Sequence, residues 1–314
     1  METILTVAKD NLAEFSTVQA AVDALPSSGG TIYIKKGTYK ERVEITTPNV
    51  TLIGENVDDV IITEGFYANM LMEDGSKRGT FRSYTFLINS DNFSAYNITF
   101  ENSAGFGTKV GQAIAVYAEG DNILFKNCHL LGHQDTLFTG PLPLKEKQPH
   151  GFVGPTEFAE RRHLKQFYED CYICGEIDFI FGSATAYFKN CTLYALNRNE
   201  EINSFYTAPS TYENQQFGYV FEKCNFTGNC PDKSVCISRP WRIHAKVVLI
   251  DCELSSQITD YGFHDWNKPE SHDTVYYAEY KCHGEGYKPD KRPAFVHQLT
   301  SKEAAVYTKE NVLK

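Results

Sequence analysis

One phrase keeps returning along this chain: an aromatic or aliphatic residue followed three positions later by cysteine. It occurs at Phe125/Cys128, Tyr168/Cys171, Phe188/Cys191, Phe221/Cys224 and Leu249/Cys252, and Phe100-Glu101-Asn102 reads as an earlier copy without the cysteine. Successive copies are 25, 43, 20, 33 and 28 residues apart. Short runs rich in β-branched and aromatic residues surround them (TIYIKK, VTLIG, YTFLI, NITFEN, AIAVYA, NILFKN), with turn residues between and no helical pattern. Strand-only repeats with periods in the twenties are the pattern of a parallel β-helix, in which longer spacings mark coils that carry loop excursions. A β-sandwich also strings short strands together, but its alternation does not require the same phrase at each return. Asn102, Asn127 and Asn190 precede the cysteine position, so they are expected to stack as a side-chain ladder at one turn.

The expected class is therefore all-β, a single solenoid domain over residues 1–314. With 42% hydrophobic and 13% aromatic residues, the chain can fill such a core. Ser16-Thr17-Val18-Gln19 reads as a capping box. It opens a short helix over about 16–25, with Val18, Ala21, Val22 and Leu25 on one face to close the core's end. The tail over about 270–314 ends in TSKEAAVYTKENVL, with Thr300 and Glu303 as a second capping box. It predicts a helix laid on the solenoid. Two stretches are too irregular to be coils, 66–79 and 140–164. Loops of that length in a compact solenoid suit the walls of a cleft.

Charge and cysteine usage exclude several partners. A net charge of −10 offers no basic stripe for phosphates, which argues against nucleic acid. No run approaches membrane-spanning length, so no membrane partner is expected. METILTVAKDNLAEF shows no basic region followed by an apolar stretch, and the nine cysteines are an odd number set mostly within apolar strands. These features predict buried reduced thiols and a cytoplasmic monomer. Cys171 and Cys174 form C-x-x-C, but YEDCYICGEIDFIF reads as strand throughout rather than as the strand-to-helix turn of a redox motif. His129 and His133 lie four apart beside Asp135, too few converging ligands for a metal.

Asp178 is the residue that asks for a function. Ile177, Phe179, Ile180 and Phe181 flank it, and a carboxylate stripped of water without a partner costs several kcal/mol or more (order of magnitude). In a stacked solenoid, residues of equal phase land side by side on one face. Asp135 lies one coil before Asp178 once the 140–164 excursion is set aside. Gln112 lies one coil earlier again, and Arg239 two or three coils later. Two carboxylates, the amides of Gln112 and Gln134, and a guanidinium are thus expected on one patch, with Trp241 beside it.

The blocks GTYKERV, TFRSYTF, GQAIAV, HQDTLF, DFIFGSA and RPW, in this order, resemble the signature of the pectin methylesterases, carbohydrate esterase family 8. The resemblance runs from about Phe15 to about Trp266. It implies a right-handed parallel β-helix that hydrolyses methyl esters on galacturonic acid units of pectin, without metal or cofactor. By motif, Asp178 matches the nucleophile, Asp135 the acid/base, Gln134 and Gln112 the oxyanion donors, and Arg239 the nucleophile's partner. Thr80, Gln112, Phe181, Arg239 and Trp241 match substrate-binding positions. The chemistry agrees, because ester hydrolysis by a carboxylate nucleophile needs one Asp ionised and a neighbour protonated.

The chain also departs from that family pattern in three places. Ser238 stands where the family usually has Gly before Arg-Pro-Trp. SFYTAPST replaces the usual Thr-Ala-Gln-Gly-Arg phrase, removing an arginine suited to a galacturonate carboxylate. The 140–164 excursion is long for the family. Other solenoid activities fit less well: a lyase would need a calcium cluster of acids and a glycosidase its own Asp-rich motifs. A purely binding solenoid would not need Gln134, Asp135, Asp178 and Arg239 together.

Overall fold

The computed structural model describes residues 3–9 and 13–314. Among them, parallel strands form three sheets of eleven, eight and seven strands. Each central coil visits the sheets in one order. Ile123–Lys126 lies in the eleven-stranded sheet, His129–Leu131 in the eight-stranded sheet and Leu137–Thr139 in the seven-stranded sheet. This is a parallel β-helix, as the spacing predicts.

Register explains the recurring phrase. Phe125 pairs with Tyr168, Tyr168 with Phe188, Phe188 with Phe221, and Phe221 with Leu249. The first four rings form a stack down the interior, with centroids 5.4, 4.7 and 4.6 Å apart and planes within 14°. Each such pair adds about 0.5–1.5 kcal/mol beyond burial. Two positions later the chain must turn sharply into the next sheet through a left-handed residue. Asn97, Asn127, Asp170, Asn190, Lys223, Asp251 and Lys281 all sit there at φ between 51 and 57°. Asn and Asp tolerate that conformation best, which is why they dominate the position. The next residue is the cysteine in every copy but the first, where Ile98 follows Asn97, and Cys282 continues the same buried column.

Two details of the repeat differ from expectation. Phe100 belongs to the eight-stranded sheet, where it pairs with Leu130; Ala95 is the residue in phase with Phe125. Asn102 is therefore outside the ladder. Its amide is buried, donating to the carbonyls of Phe66, Ser83 and Ile114. The ladder's own member is Asn97, which accepts from Asn127 Nδ2 at 2.8 Å. The stretch YEDCYICGEIDFIF is likewise three strands, Lys165–Glu169, Tyr172–Gly175 and Ile177–Gly182, turned at Asp170 and Glu176.

The ends are capped by short elements. Helix Val18–Asp23 starts at Thr17 rather than Ser16, and Gln19 does not close a box. Instead the Glu41 carboxylate accepts the Val18 and Gln19 N–H groups, both at 2.9 Å. At the other end the Thr300/Glu303 box forms, but the helix is two separate turns, Ser301–Ala304 and Lys309–Val312. Val312 seals them onto the outer face of the eleven-stranded sheet, against Phe167, Tyr187 and Val248.

All nine cysteines are free thiols, and eight of them are buried. Burial pushes the Cys128 thiol up to about 12. Thiol counting in denaturant without reductant is expected to find all nine, with slow reaction in the native state; four disulfides would leave a single reactive thiol.

Candidate active site

Seven strands build the sheet that carries the predicted residues: β1 (Val43–Ile45), β2 (Phe86–Ile88), β3 (Val116–Ala118), β4 (Leu137–Thr139), β5 (Ile177–Gly182), β6 (Ser204–Pro209) and β7 (Val235–Ser238). Asp135 stands two residues before Leu137 on β4, and Asp178 two before its partner Ile180 on β5. They are therefore in phase on adjacent coils. Both have left-handed backbones, φ 65° at Asp135 and 52° at Asp178. On β5 the register slips between Ile177 and Ile180 against β6, a bulge at Asp178, which is buried like the rest of the strand.

Arg239 follows β7, two coils beyond β5. Its Nε and Nη2 donate to the two oxygens of Asp178, each at 2.7 Å, a bidentate pair. The guanidinium is clasped between the rings of Phe205, at 4.1 Å, and Trp266, at 3.7 Å. Trp266 reaches it because Trp266 and Asn267 are two consecutive left-handed residues. Ser238, just before Arg239, is fully buried, its hydroxyl against that of Tyr277.

The two carboxyls differ in their surroundings. Burial pushes Asp178 up, and the charge and hydrogen bonds of Arg239 pull it back. Burial pushes Asp135 well above the usual carboxylate range, and the Asp178 charge pushes it further. Arg239 therefore favours the ionised form of Asp178, while burial and the neighbouring charge favour the neutral form of Asp135.

A cleft of about 480 Å³ opens over the pair. Gln112, Gln134, Thr80, Phe181, Arg239 and Trp241 all line it, so every predicted residue comes together. The Ala68 N–H donates to the Gln112 carbonyl at 2.8 Å and the Ala113 N–H to that of Gln134 at 3.0 Å, tying the two amide-bearing turns to their neighbours. Glu176, wholly buried, braces the Gln134 turn: one oxygen meets His133 Nδ1 at 2.8 Å and the other accepts the Gly107 N–H at 3.1 Å. A Cβ on Gly107 would come within 2.6 Å of Gln134 Oε1, so glycine is required for this approach. His133 is thus engaged by Glu176, while His129 lies toward Asp58.

Of the two excursions only 140–164 walls the cleft; no residue of 66–79 lines it. The 66–79 stretch forms a small hairpin with Leu71 bridging Lys77, and it delivers Thr80 to the rim. The 140–164 stretch contributes Lys147, Gln148, Gly151 and Phe152. Phe152 joins an apolar floor with Phe81, Phe138, Phe181 and Ala208, against which Trp241 packs. Sequence reading missed Phe81, Phe152, Phe205, Trp266, Arg242 and Lys268. The neighbouring Trp and cation in WR and WNK were the available signal.

Comparison with known proteins agrees with this geometry. The family profile Pectinesterase matches residues 4–142 and 159–314. Pectinesterase/pectinesterase inhibitor 18 of Arabidopsis thaliana is 33% identical over 319 residues, covering 97% of this chain and 52% of that protein. Pectinesterase 31 of the same plant is 30% identical over 312 residues, covering 96% of this chain and 89% of the relative. The chain spans about half the length of the first of these. Among solved structures, pectin methylesterase PemA from Erwinia chrysanthemi superimposes with TM-score 0.81 at 29% identity, covering 100% of this chain and 97% of its own. Carrot pectin methylesterase gives 0.80 at 28% identity, covering 98% and 92%. With sequence and fold matched on both sides of the long excursion, the chain belongs to the pectinesterase family.

Proposed function

We propose that the protein hydrolyses methyl esters of galacturonic acid units in pectin or methylated oligogalacturonides, releasing methanol. The observation that carries this reading is the unlike pair: Asp178 in a bidentate pair with Arg239, beside a buried Asp135 whose pKa is pushed up by burial and by the Asp178 charge. A similar solved pectin methylesterase, with TM-score 0.81 and 30% identity over 100% of this chain, is described in complex with a hexasaccharide, which supports an oligosaccharide in the cleft.

In this mechanism an oxygen of Asp178 attacks the ester carbonyl. The Gln112 and Gln134 amides, which cannot ionise, donate to the developing oxyanion. Collapse expels methoxide, and Asp135 protonates it to methanol. The anhydride left on Asp178 is then attacked by water, with Asp135, now ionised, taking the proton. Cleavage frees the galacturonate carboxylate and restores both aspartates. Trp241, Phe81 and Phe181 offer an apolar surface for sugar face and methyl group.

Incubation with methyl-esterified pectin tests this directly. Methanol is expected without new reducing ends or unsaturated products; reducing ends without methanol would assign a glycosidase, and unsaturated ends a lyase.

A further inference from the structure

Among the described residues, neither Gln112 nor Gln134 ties its side-chain amide into a hydrogen bond, so the placement of both falls to backbone and packing. Both backbones lead back to one buried acid. Glu176 is 0% exposed, and its carboxylate is shared between His133 Nδ1, at 2.8 Å, and the Gly107 N–H, at 3.1 Å. His133 directly precedes Gln134. Gly107 opens the helical turn Gly107–Val110, after which Gly111, at φ 79°, swings the chain into Gln112.

The carboxylate reaches Gln134 from two sides. Through His133 it fixes the turn from which Gln134 springs. Through the Gly107 N–H it holds a bare Cα against the Gln134 side chain, so close that a Cβ there would come within 2.7 Å of Gln134 Cβ. The main chain of Glu176 is engaged as well: its N–H donates to the His133 carbonyl at 2.8 Å, and its carbonyl accepts the Ser204 hydroxyl and the Phe205 N–H. The Phe106 ring, its centroid 4.6 Å from that of His133, packs against the imidazole.

Holding a fold together does not require an acid here. Apolar side chains of similar volume commonly replace a buried polar pair with no loss of stability, whereas removing one member of such a pair leaves the other unsatisfied. Directional bonds are needed where two donors must meet one atom, a task that tolerates displacements of only about 0.5 Å. His133 and Glu176 each stand two residues before an aspartate of the site, so the pair repeats the phase of Asp135 and Asp178 one step back along β4 and β5.

We propose that Glu176, acting through His133 and Gly107, is the positioning residue that brings the Gln112 and Gln134 amides to bear on one oxyanion. This rests on the ester-hydrolysis reading and adds to it a side chain that never meets substrate, since neither Glu176 nor His133 lines the cleft. The oxyanion develops only on the way to the transition state. Loss of the positioning residue therefore falls on kcat and spares KM.

The test is methanol-release kinetics on methyl-esterified pectin, with rates taken per folded molecule from thermal unfolding. Glu176→Ala is expected to lower kcat by about a hundredfold with KM within about twofold of wild type. Glu176→Gln should recover most of the rate, because its oxygen accepts the Gly107 N–H while its NH2 donates to Nδ1 of the other His133 tautomer. His133→Asn, which keeps a donor near the Nδ1 position, should stay active, and His133→Phe should not. In a Gln134→Ala background, His133→Phe should cost little further, since the amide it positions is already gone. Wild-type kcat in Glu176→Ala would overturn the proposal, as would a loss confined to KM. So would a His133→Phe penalty that multiplies in full with that of Gln134→Ala, the result expected of a merely structural role. If Glu176→Ala does not fold, the His133 variants decide by the same criteria. No methanol from the wild type would overturn the ester-hydrolysis reading itself, whereas wild-type methanol release at a rate unchanged in the variants would overturn the positioning role alone.

Discussion

Asp178→Asn is expected to lower kcat for methanol release by about ten-thousandfold or more, since the amide can neither attack the ester nor leave from an anhydride. Asp135→Asn should fall nearly as far, and the double variant little further, because the two carboxyls act as a unit. Their effects on stability should have opposite signs. Asp178→Asn leaves the Arg239 guanidinium, only 16% exposed, without its carboxylate. That loss is expected to cost about 2–3 kcal/mol, toward the low side for a broken buried pair because the clasping rings remain. Asp135 carries a raised folded-state pKa, so its neutral form is the comfortable one. Stability tied to it is full below the unfolded value near 4 and drains as pH rises through the folded value. Asp135→Asn removes that drain and should raise Tm at pH 7 by roughly a few °C, with the gain vanishing toward pH 3. Methanol assays and thermal unfolding at the two pH values check both halves. Near wild-type turnover in Asp178→Asn, with contaminating esterase excluded, would refute the mechanism.

Arg239→Lys is the second large effect, expected at about a hundredfold in kcat/KM despite conserving charge. Lysine cannot span both oxygens of Asp178, nor can an ammonium fill the flat slot between Phe205 and Trp266. With the pull of Arg239 weakened, burial dominates Asp178 and its proton is held to higher pH. The acid limb of the pH profile, which in the proposed mechanism reports ionisation of Asp178, should therefore move upward. The alkaline limb, which in that mechanism reports loss of the Asp135 proton, should move much less. An unmoved acid limb would show that another group governs it.

The solenoid was legible in the sequence because its repeat is carried by bulky side chains in register, as at Phe125, Tyr168, Phe188 and Phe221. Phase was harder to read than period. Phe100 imitates the phrase from another sheet, while the true coil member, Ala95, has neither the ring nor the cysteine. Most of the predicted site residues meet in one cleft because they sit on or near strand ends, where phase fixes position; Thr80 comes from the short turn Thr80–Arg82. Trp266 and Lys268 escaped because they lie on a turn beyond the last strand of that sheet. Two left-handed residues aim them, and spacing alone does not announce backbone handedness. Glu176 escaped for a different reason: it reads as a surface acid between strands, yet it is buried behind the Gln134 turn.

The bidentate pair crosses a whole coil, running from β5 to the end of β7 with β6 between them. Gln112, Asp135, Asp178 and Arg239 therefore come from different turns of the solenoid, and no single turn holds the chemistry. In a stack whose units touch only their neighbours, opening can spread inward from either end. Fraying of the first or last turns leaves the catalytic stretch intact, whereas one opened contact between Gln112 and Arg239 silences it. In the proposed mechanism turnover is thus a gauge of continuity across the middle of the rod: during gradual unfolding, activity should vanish in one step while the ends melt unnoticed.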